Sequence, residues 1–345
     1  MALAMLKEIG WPPGSEPIRP SVEDAGRSRT ERTIFQIDLL RQLGQVATGG
    51  RLRMMALKGP ALSMWLYGNP CIRESFDLDI LVAPADLPAL EAAITALGLV
   101  HIDPVSGFQS AWLQRFFKNR RYLDPKTGLV VECHWRLFDN PYLLPVDFDT
   151  LWASRVEVVF GGDVITILSG PLLVLYLLCH AAQHDWSRLK WLGDLFLLLW
   201  PMSAEEFRTL RSYAERLRVA HLLACLILLL NELPDHGLPL AWGEWARAER
   251  RTRPLMARAR AGLMTTQLRS ARLAAAETSF SLDNLLHGFA LQTGGRFWWF
   301  QCLYVLHCEP DWRSLPLPDW LTPLHFLLRP FRWALRHSLD LWRKT

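Results

Sequence analysis

The feature that most constrains this chain is an abrupt change of pattern at Gly170-Pro171. Upstream, short apolar runs of strand length alternate with helical patterns. The runs are Leu52–Leu57, Phe76–Val82, Leu99–Ile102, Arg120–Leu123, Leu129–Trp135, Arg155–Phe160 and Val164–Leu168, with helices expected over Pro60–Tyr67 and Ala85–Leu97. That alternation predicts a sheet with helices packed on it. Downstream the strand signals stop. Residues 172–199, 204–231, 242–276 and 281–306 read as helices, several of them apolar around most of their circumference, and such helices must be buried against one another. A Pro-rich segment over 310–323 then leads into two short helices interrupted at Pro330. At the other end, Pro12, Pro13, Gly14, Pro17 and Pro20 mark a loose arm, followed by a helix over Glu31–Ala47 where Ile34, Ile37, Leu40 and Val46 recur near helical spacing. The expectation is an α+β chain: an arm over 1–30, a mixed-sheet domain over 31–169 and an all-helical domain over 170–345.

Composition closes off other classes. Half of the 345 residues are hydrophobic and 21% are charged, which excludes a disordered chain, and Gly and Pro carry no period. A net charge of +4 says little about nucleic acid. The six cysteines form no CxxC pair, so a reducing cytoplasm is expected rather than a disulfide framework. Lys7 and Glu8 interrupt the N-terminus before a signal-type apolar run, and the longest apolar stretch, around Leu222–Leu230, falls short of the ~20 residues that span a bilayer.

The most informative strand is Phe76-Asp77-Leu78-Asp79-Ile80-Leu81-Val82. Alternation puts Asp77 and Asp79 on one side and Phe76, Leu78 and Ile80 toward the core. Two carboxylates side by side on an apolar strand repel one another unless a cation neutralises them, and hard oxygen ligands suit Mg²⁺ shared with a phosphate. A third carboxylate comes from Val130-Val131-Glu132-Cys133-His134-Trp135, where Glu132 and His134 share a face. Two carboxylates on one strand and one on its neighbour can hold two metal ions for in-line displacement at phosphorus. The bland alternative is a solvated strand end.

Upstream, Leu57-Lys58-Gly59-Pro60 supplies a phosphate end. Gly59 permits close backbone approach, Pro60 opens a helix whose free N–H groups attract an anion, and Lys58 and Arg73 add positive charge.

Leu57-Lys58-Gly59, Tyr67, Arg73, Asp77-Leu78-Asp79, Glu132-Cys133-His134-Trp135, and Leu178-Cys179-His180 through His184, Trp191 and Asp194 together resemble the nucleotidyltransferase superfamily of DNA polymerase β type. More closely, they resemble its bacterial branch of uncharacterised nucleotidyltransferases, from about residue 31 to about residue 335. The superfamily's usual Gly-Ser turn is replaced here by Lys58-Gly59, a departure shared by the branch. The resemblance implies that Asp77, Asp79 and Glu132 are catalytic and bind two Mg²⁺ ions, with Mn²⁺ as the alternative. It also implies an NTP substrate, expected to be ATP.

A polar stripe of His180, His184, Ser187, Arg188, Trp191 and Asp194 follows on the apolar helix expected over 172–199. Such a stripe must line a cleft or join a hydrogen-bonded network. Structural histidines, nucleotide or acceptor contacts by His134, His180, His184 and Asp194, and a zinc pair at His180-x3-His184 are the alternative readings, although no Glu follows His180 as in HExxH sites. Arg-rich stretches at Arg247–Arg272 and Arg329–Lys344 suit RNA phosphates, an anionic membrane surface or simply solvent.

The expected function is transfer of an NMP group, AMP from ATP, to an unidentified small-molecule, peptide or protein acceptor. An RNA-acting transferase and a non-catalytic nucleotide-binding scaffold are the alternatives. The acceptor and the oligomeric state are not legible.

Overall fold

The computed structural model describes residue 16, residues 19–102, 114–160, 162–233, 237–269 and 282–305, and scattered positions between 318 and 331. Most of the expected arm, most of the Pro-rich segment, and Arg272, Arg332, Arg336, Arg343 and Lys344 lie outside the described residues.

The sheet-bearing part runs α1 (Arg19–Gly50), β1 (Met54–Ala56), α2 (Pro60–Tyr67), β2 (Asp77–Val82), α3 (Leu87–Ala96), β3 (Val100–His101), β4 (Asn119–Leu123), β5 (Val130–His134), α4 (Phe148–Ala153), β6 (Arg155–Phe160) and β7 (Asp163–Leu168). The strands form one seven-stranded sheet in the order β3-β4-β5-β2-β1-β7-β6. It is mixed: β2 runs parallel to β5 and β1 parallel to β7, while the remaining pairs are antiparallel.

Helices follow: α5 (Gly170–Gln183), α6 (Leu189–Leu199), α7 (Ala204–Arg216), α8 (Ala220–Leu230), α9 (Leu240–Ala248), α10 (Thr252–Arg269), α11 (Leu282–Ala290) and α12 (Gly295–Val305). The expected α+β architecture, a mixed sheet followed by helices, is the one observed.

Strand alternation gives the sheet two unlike faces. Met54, Ala56, Leu78, Ile80, Val82, Val131 and Cys133 pack with Leu39, Leu40 and Leu43 of α1 and Leu90 and Ile94 of α3. Met55, Leu57, Leu81 and Leu168 belong to a second core with α5 and the helices beyond it. Asp77 and Asp79, out of step with Leu78 and Ile80, therefore emerge on the face that the helical part covers. Helix α8, sequence AHLLACLILLL, is buried nearly all round and anchors that core.

Several details depart from the sequence reading. The stretches read as helical over 204–231, 242–276 and 281–306 are each split into two helices, α7 and α8, α9 and α10, and α11 and α12. Helix α1 starts at Arg19 rather than Glu31. Phe76, expected in the core, is 52% exposed, because the ladder starts at Asp77 and alternation does not bind the residue before it. The long helix expected over 172–199 is two helices. The chain leaves α5 at His184, and Asp185 and Trp186 take left-handed conformations at φ 55° and 54°.

Tertiary contacts set that break. Arg258 of α10 grips the Asp185 carboxylate with two nitrogens, and His287 Nε2 lies 2.7 Å from Ala182 O and 3.3 Å from Asp185 Oδ1. Trp186 is 1% exposed, so its indole is core and has no face left for a base. Gly262 of α10 passes so close that a Cβ there would sit 2.0 Å from Asp185 O.

Candidate active site

The parallel pairing of β2 with β5 sets Asp79 opposite Glu132, bringing the carboxylates of two distant segments together. His134, two residues on from Glu132 and on the same face, places Nε2 3.1 Å from Asp79 Oδ1 and 3.2 Å from Glu132 Oε2. Ligand atoms of Asp79, Glu132 and His134 all lie within 4.8 Å of one another, a spacing that can hold a metal ion. Asp77 is outside that convergent set but within electrostatic reach of Asp79, Lys58 and Glu132.

Charge in the cluster is unevenly compensated. Burial would raise the Asp79 pKa, but the Lys58 ammonium and the His134 ring outweigh it and hold the carboxyl well below its usual range. Glu132 is likewise lowered: against burial stand His134 and then Lys118, and Asn119 Nδ2 donates to its Oε2 at 2.6 Å. Asp77 goes the other way, raised by burial and by repulsion from Asp79.

Lys58 Nζ is 3.1 Å from Asp79 Oδ2, yet that oxygen is buried and has no hydrogen-bond partner among the described residues. The contact is ionic attraction without hydrogen-bond geometry. A buried, ionised oxygen with an unused lone pair, beside a second carboxylate, fits a divalent cation.

The Lys58-Gly59-Pro60 turn is built as the sequence suggests, with Pro60 in the first turn of α2. Gly59 has φ 75° and ψ −147°, and a Cβ there would be no closer than 3.7 Å to Ser75 Oγ. The demand for glycine is thus conformational rather than spatial. Ser75 Oγ in turn donates to Asp77 O at 2.8 Å, fixing the chain as it enters β2.

Arg73 and Asp194, both expected near the nucleotide, are paired with each other. Arg73 Nε donates to Asp194 Oδ2 at 2.6 Å and Tyr67 Oη donates to Asp194 Oδ1 at 2.8 Å, with the Arg73 and Asp194 side chains 3% and 1% exposed. This buried triad joins the α2–β2 segment to α6. It places no charge on an accessible wall.

His180, in the last turn of α5, and His184, its C-cap, lie within electrostatic reach of Lys58 and Lys118. Their rings are 4.8 Å apart, and Trp191 packs 5.2 Å and 5.6 Å from them. Burial lowers the His180 pKa well below its ordinary value, followed by the Lys58 charge. His184 is pushed down to about 4 by the surrounding protein mass and then by Lys118 and Lys58, although its side chain reaches solvent. Both imidazoles are neutral at pH 7.

Lys118 and Asn119 were not among the residues singled out from sequence. Lys118 acts electrostatically on Asp79, Glu132, His180 and His184, and its backbone N–H is pinned to Asp139 Oδ1 at 2.9 Å. The signal was present in Lys118-Asn119-Arg120-Arg121 at the start of β4, which pairs Asn119 with His134, but a basic run ahead of a strand looks like solvated surface.

No curated protein matches the chain. Among solved structures, the solution structure of the antibiotic-resistance factor ANT(2'')-Ia is 18% identical, with TM-score 0.39, covering 55% of this chain and 96% of that one. The crystal structure of ANT(2'')-Ia in complex with adenylyl-2''-tobramycin is 15% identical, with TM-score 0.37, covering 53% and 98%. An antigenic nucleotidyltransferase-like protein from Paracoccidioides brasiliensis is 16% identical, with TM-score 0.35, covering 58% and 89%. The family described as uncharacterised nucleotidyltransferase matches residues 1–235. That match spans the β2–β5 carboxylates, the Lys58-Gly59 turn and the His180–Asp194 segment alike, and the chain belongs to the uncharacterised nucleotidyltransferase family.

Proposed function

We propose that this enzyme transfers AMP from ATP to a hydroxyl or similar group of a small-molecule, peptide or protein acceptor, in a Mg²⁺-dependent reaction with Mn²⁺ as the alternative ion. The observation that carries the reading is the Asp79–Glu132–His134 convergence, with Asp77 on the same face and a buried Asp79 oxygen that accepts no hydrogen bond among the described residues. Asp79 and Glu132 would hold the cation, Asp77 would complete its shell, and His134 would fix both carboxylates. When bound, divalent ions draw negative charge off the α-phosphate and the departing pyrophosphate.

The chain's own groups account for the rest. Lys58 and Lys118 supply positive charge beside the carboxylates, where the phosphates of a nucleotide must lie. The Gly59 turn presents backbone N–H groups at the start of α2. His184, neutral and accessible, can accept a hydrogen bond from the acceptor's hydroxyl and orient it for attack, and His180 and Trp191 hold its ring.

The RNA-acting alternative loses part of its support. Arg258 is engaged by Asp185, Asp283 and Asn284, and Arg260 by Glu232. Among the described residues no helix is long and apolar enough to cross a membrane.

The test is incubation with each α-labelled NTP and Mg²⁺ against cell extract, RNA and fractionated small molecules, with Asp79→Asn as the blank. Label from ATP alone in a small molecule, peptide or protein supports the reading. Label in RNA favours the alternative. Absence of both labelling and NTP binding leaves the scaffold.

A further inference from the structure

Phe76 immediately precedes Asp77 and is 52% exposed. Two guanidiniums from different parts of the chain close on it. Arg32 of α1 places Cζ 5.0 Å from the ring centroid, and Arg188, which opens α6, places Cζ 5.8 Å from it. Neither has a carboxylate partner among the described residues. Arg29 pairs with the Glu74 carboxylate at 3.0 Å and Arg27 with that of Asp24, while Lys190 Nζ donates to the Glu74 backbone carbonyl at 2.6 Å. Glu74 and Asp24 are thus engaged elsewhere, and neither guanidinium facing the phenyl ring forms an ion pair among the described residues.

We propose that Arg32 and Arg188 bind a carboxylate or phosphate of the acceptor against Phe76, so that the acceptor is an anionic molecule. This rests on the transferase reading given above. A guanidinium over an aromatic face is held in plane by cation–π attraction, and its N–H edge stays available for bidentate bonding to a planar or tetrahedral anion. Phe76 adjoins Asp77 in sequence, and Arg188 lies within electrostatic reach of His184, as Lys118 and Lys58 do. A cationic acceptor at this ring would be repelled by Arg32 and Arg188. An anionic one is drawn in and anchored beside Asp77.

The test is ligand-observed NMR with three probes: phenyl phosphate, benzoate and benzylamine. Each is titrated into the full chain, with and without Mg²⁺ and the non-transferable nucleotide α,β-methylene-ATP. Phenyl phosphate, benzoate or both bind saturably while benzylamine does not, and the preferred anion tells phosphate from carboxylate. Arg32→Gln and Arg188→Gln each weaken that anion about tenfold. Both variants keep the wild-type melting temperature and bind α,β-methylene-ATP within about twofold of wild type. Benzylamine binding as well as the anions, anion binding equal in wild type and both variants, or no anion bound overturns the proposal. Failure of the nucleotide analogue to bind with Mg²⁺ would instead count against the transferase reading, while the probe titrations without nucleotide still report on the anion site.

Discussion

Lys58 Nζ lies 3.1 Å from Asp79 Oδ2 where the sheet meets the helices, with the two side chains 9% and 1% exposed. The pair neutralises one of the two strand aspartates within the chain itself, and it makes Asp77 and Asp79 unlike.

That difference is measurable without substrate. Repulsion between neighbouring carboxylates alone would make either asparagine substitution mildly stabilising. The structure separates the two. Asp79→Asn removes the partner of a buried ammonium and should cost about 3–5 kcal/mol. Asp77→Asn removes a charge that burial and Asp79 disfavour, and should raise the melting temperature slightly. Urea denaturation in EDTA gives both numbers, and equal effects would show that Lys58 does not compensate Asp79.

The pH dependence of stability follows from the imidazoles. The His184 ring is lowered to about 4 from its usual 6.5, so between those values the unfolded chain binds a proton that the folded chain refuses. Its contribution is fully present above about pH 6.5, falls as pH drops and levels off below about 4. His180 is lowered as well and adds to the same slope. His184→Gln should flatten the stability profile across this window, and the double variant with His180→Gln should flatten it further. An unchanged profile would place both rings in ordinary solvent.

The Arg73–Asp194 pair should be strongly asymmetric to mutation. Arg73→Met leaves the Asp194 carboxylate buried with only Tyr67 and should cost about 3–5 kcal/mol. Adding Asp194→Leu should recover much of that loss, because no charge then remains to be buried. A double variant as unstable as the sum of its single variants would mean that the pair is not coupled.

Much of this was legible in the sequence, and the remainder has a physical cause. Strand alternation gave the shared face of Asp77 and Asp79 and of Glu132 and His134, because a residue at i+2 faces the same way in any extended strand. The parallel pairing that opposes Asp79 to Glu132 supplied what alternation alone does not. The break at His184–Arg188 was hidden because nothing in His-Asp-Trp-Ser-Arg forbids helix locally. It is imposed by Arg258, more than seventy positions downstream, and by the bare backbone of Gly262. Arg73 and Asp194 read as site charges because sequence shows charge but not partner. Lys118 was overlooked for the converse reason, a solvated-looking run that folds back onto the carboxylates.

Gly262 offers a direct check on the loop behind His184. Alanine in a helix interior ordinarily stabilises by about 0.5–1 kcal/mol over glycine. Here the added Cβ would fall 2.0 Å from Asp185 O, so Gly262→Ala should instead destabilise by about 1–3 kcal/mol. A rise in melting temperature would mean that the loop does not lie against α10.

The position of the label decides which phosphorus is attacked. The wild-type enzyme and Asp79→Asn are each given ATP labelled at the α- or the γ-phosphate, with Mg²⁺ and an extract that supports transfer. The account predicts α-label in the product, γ-label released as pyrophosphate, and loss of both with EDTA or with Asp79→Asn. Recovery of γ-label in the product, or transfer that persists in Asp79→Asn, would contradict it.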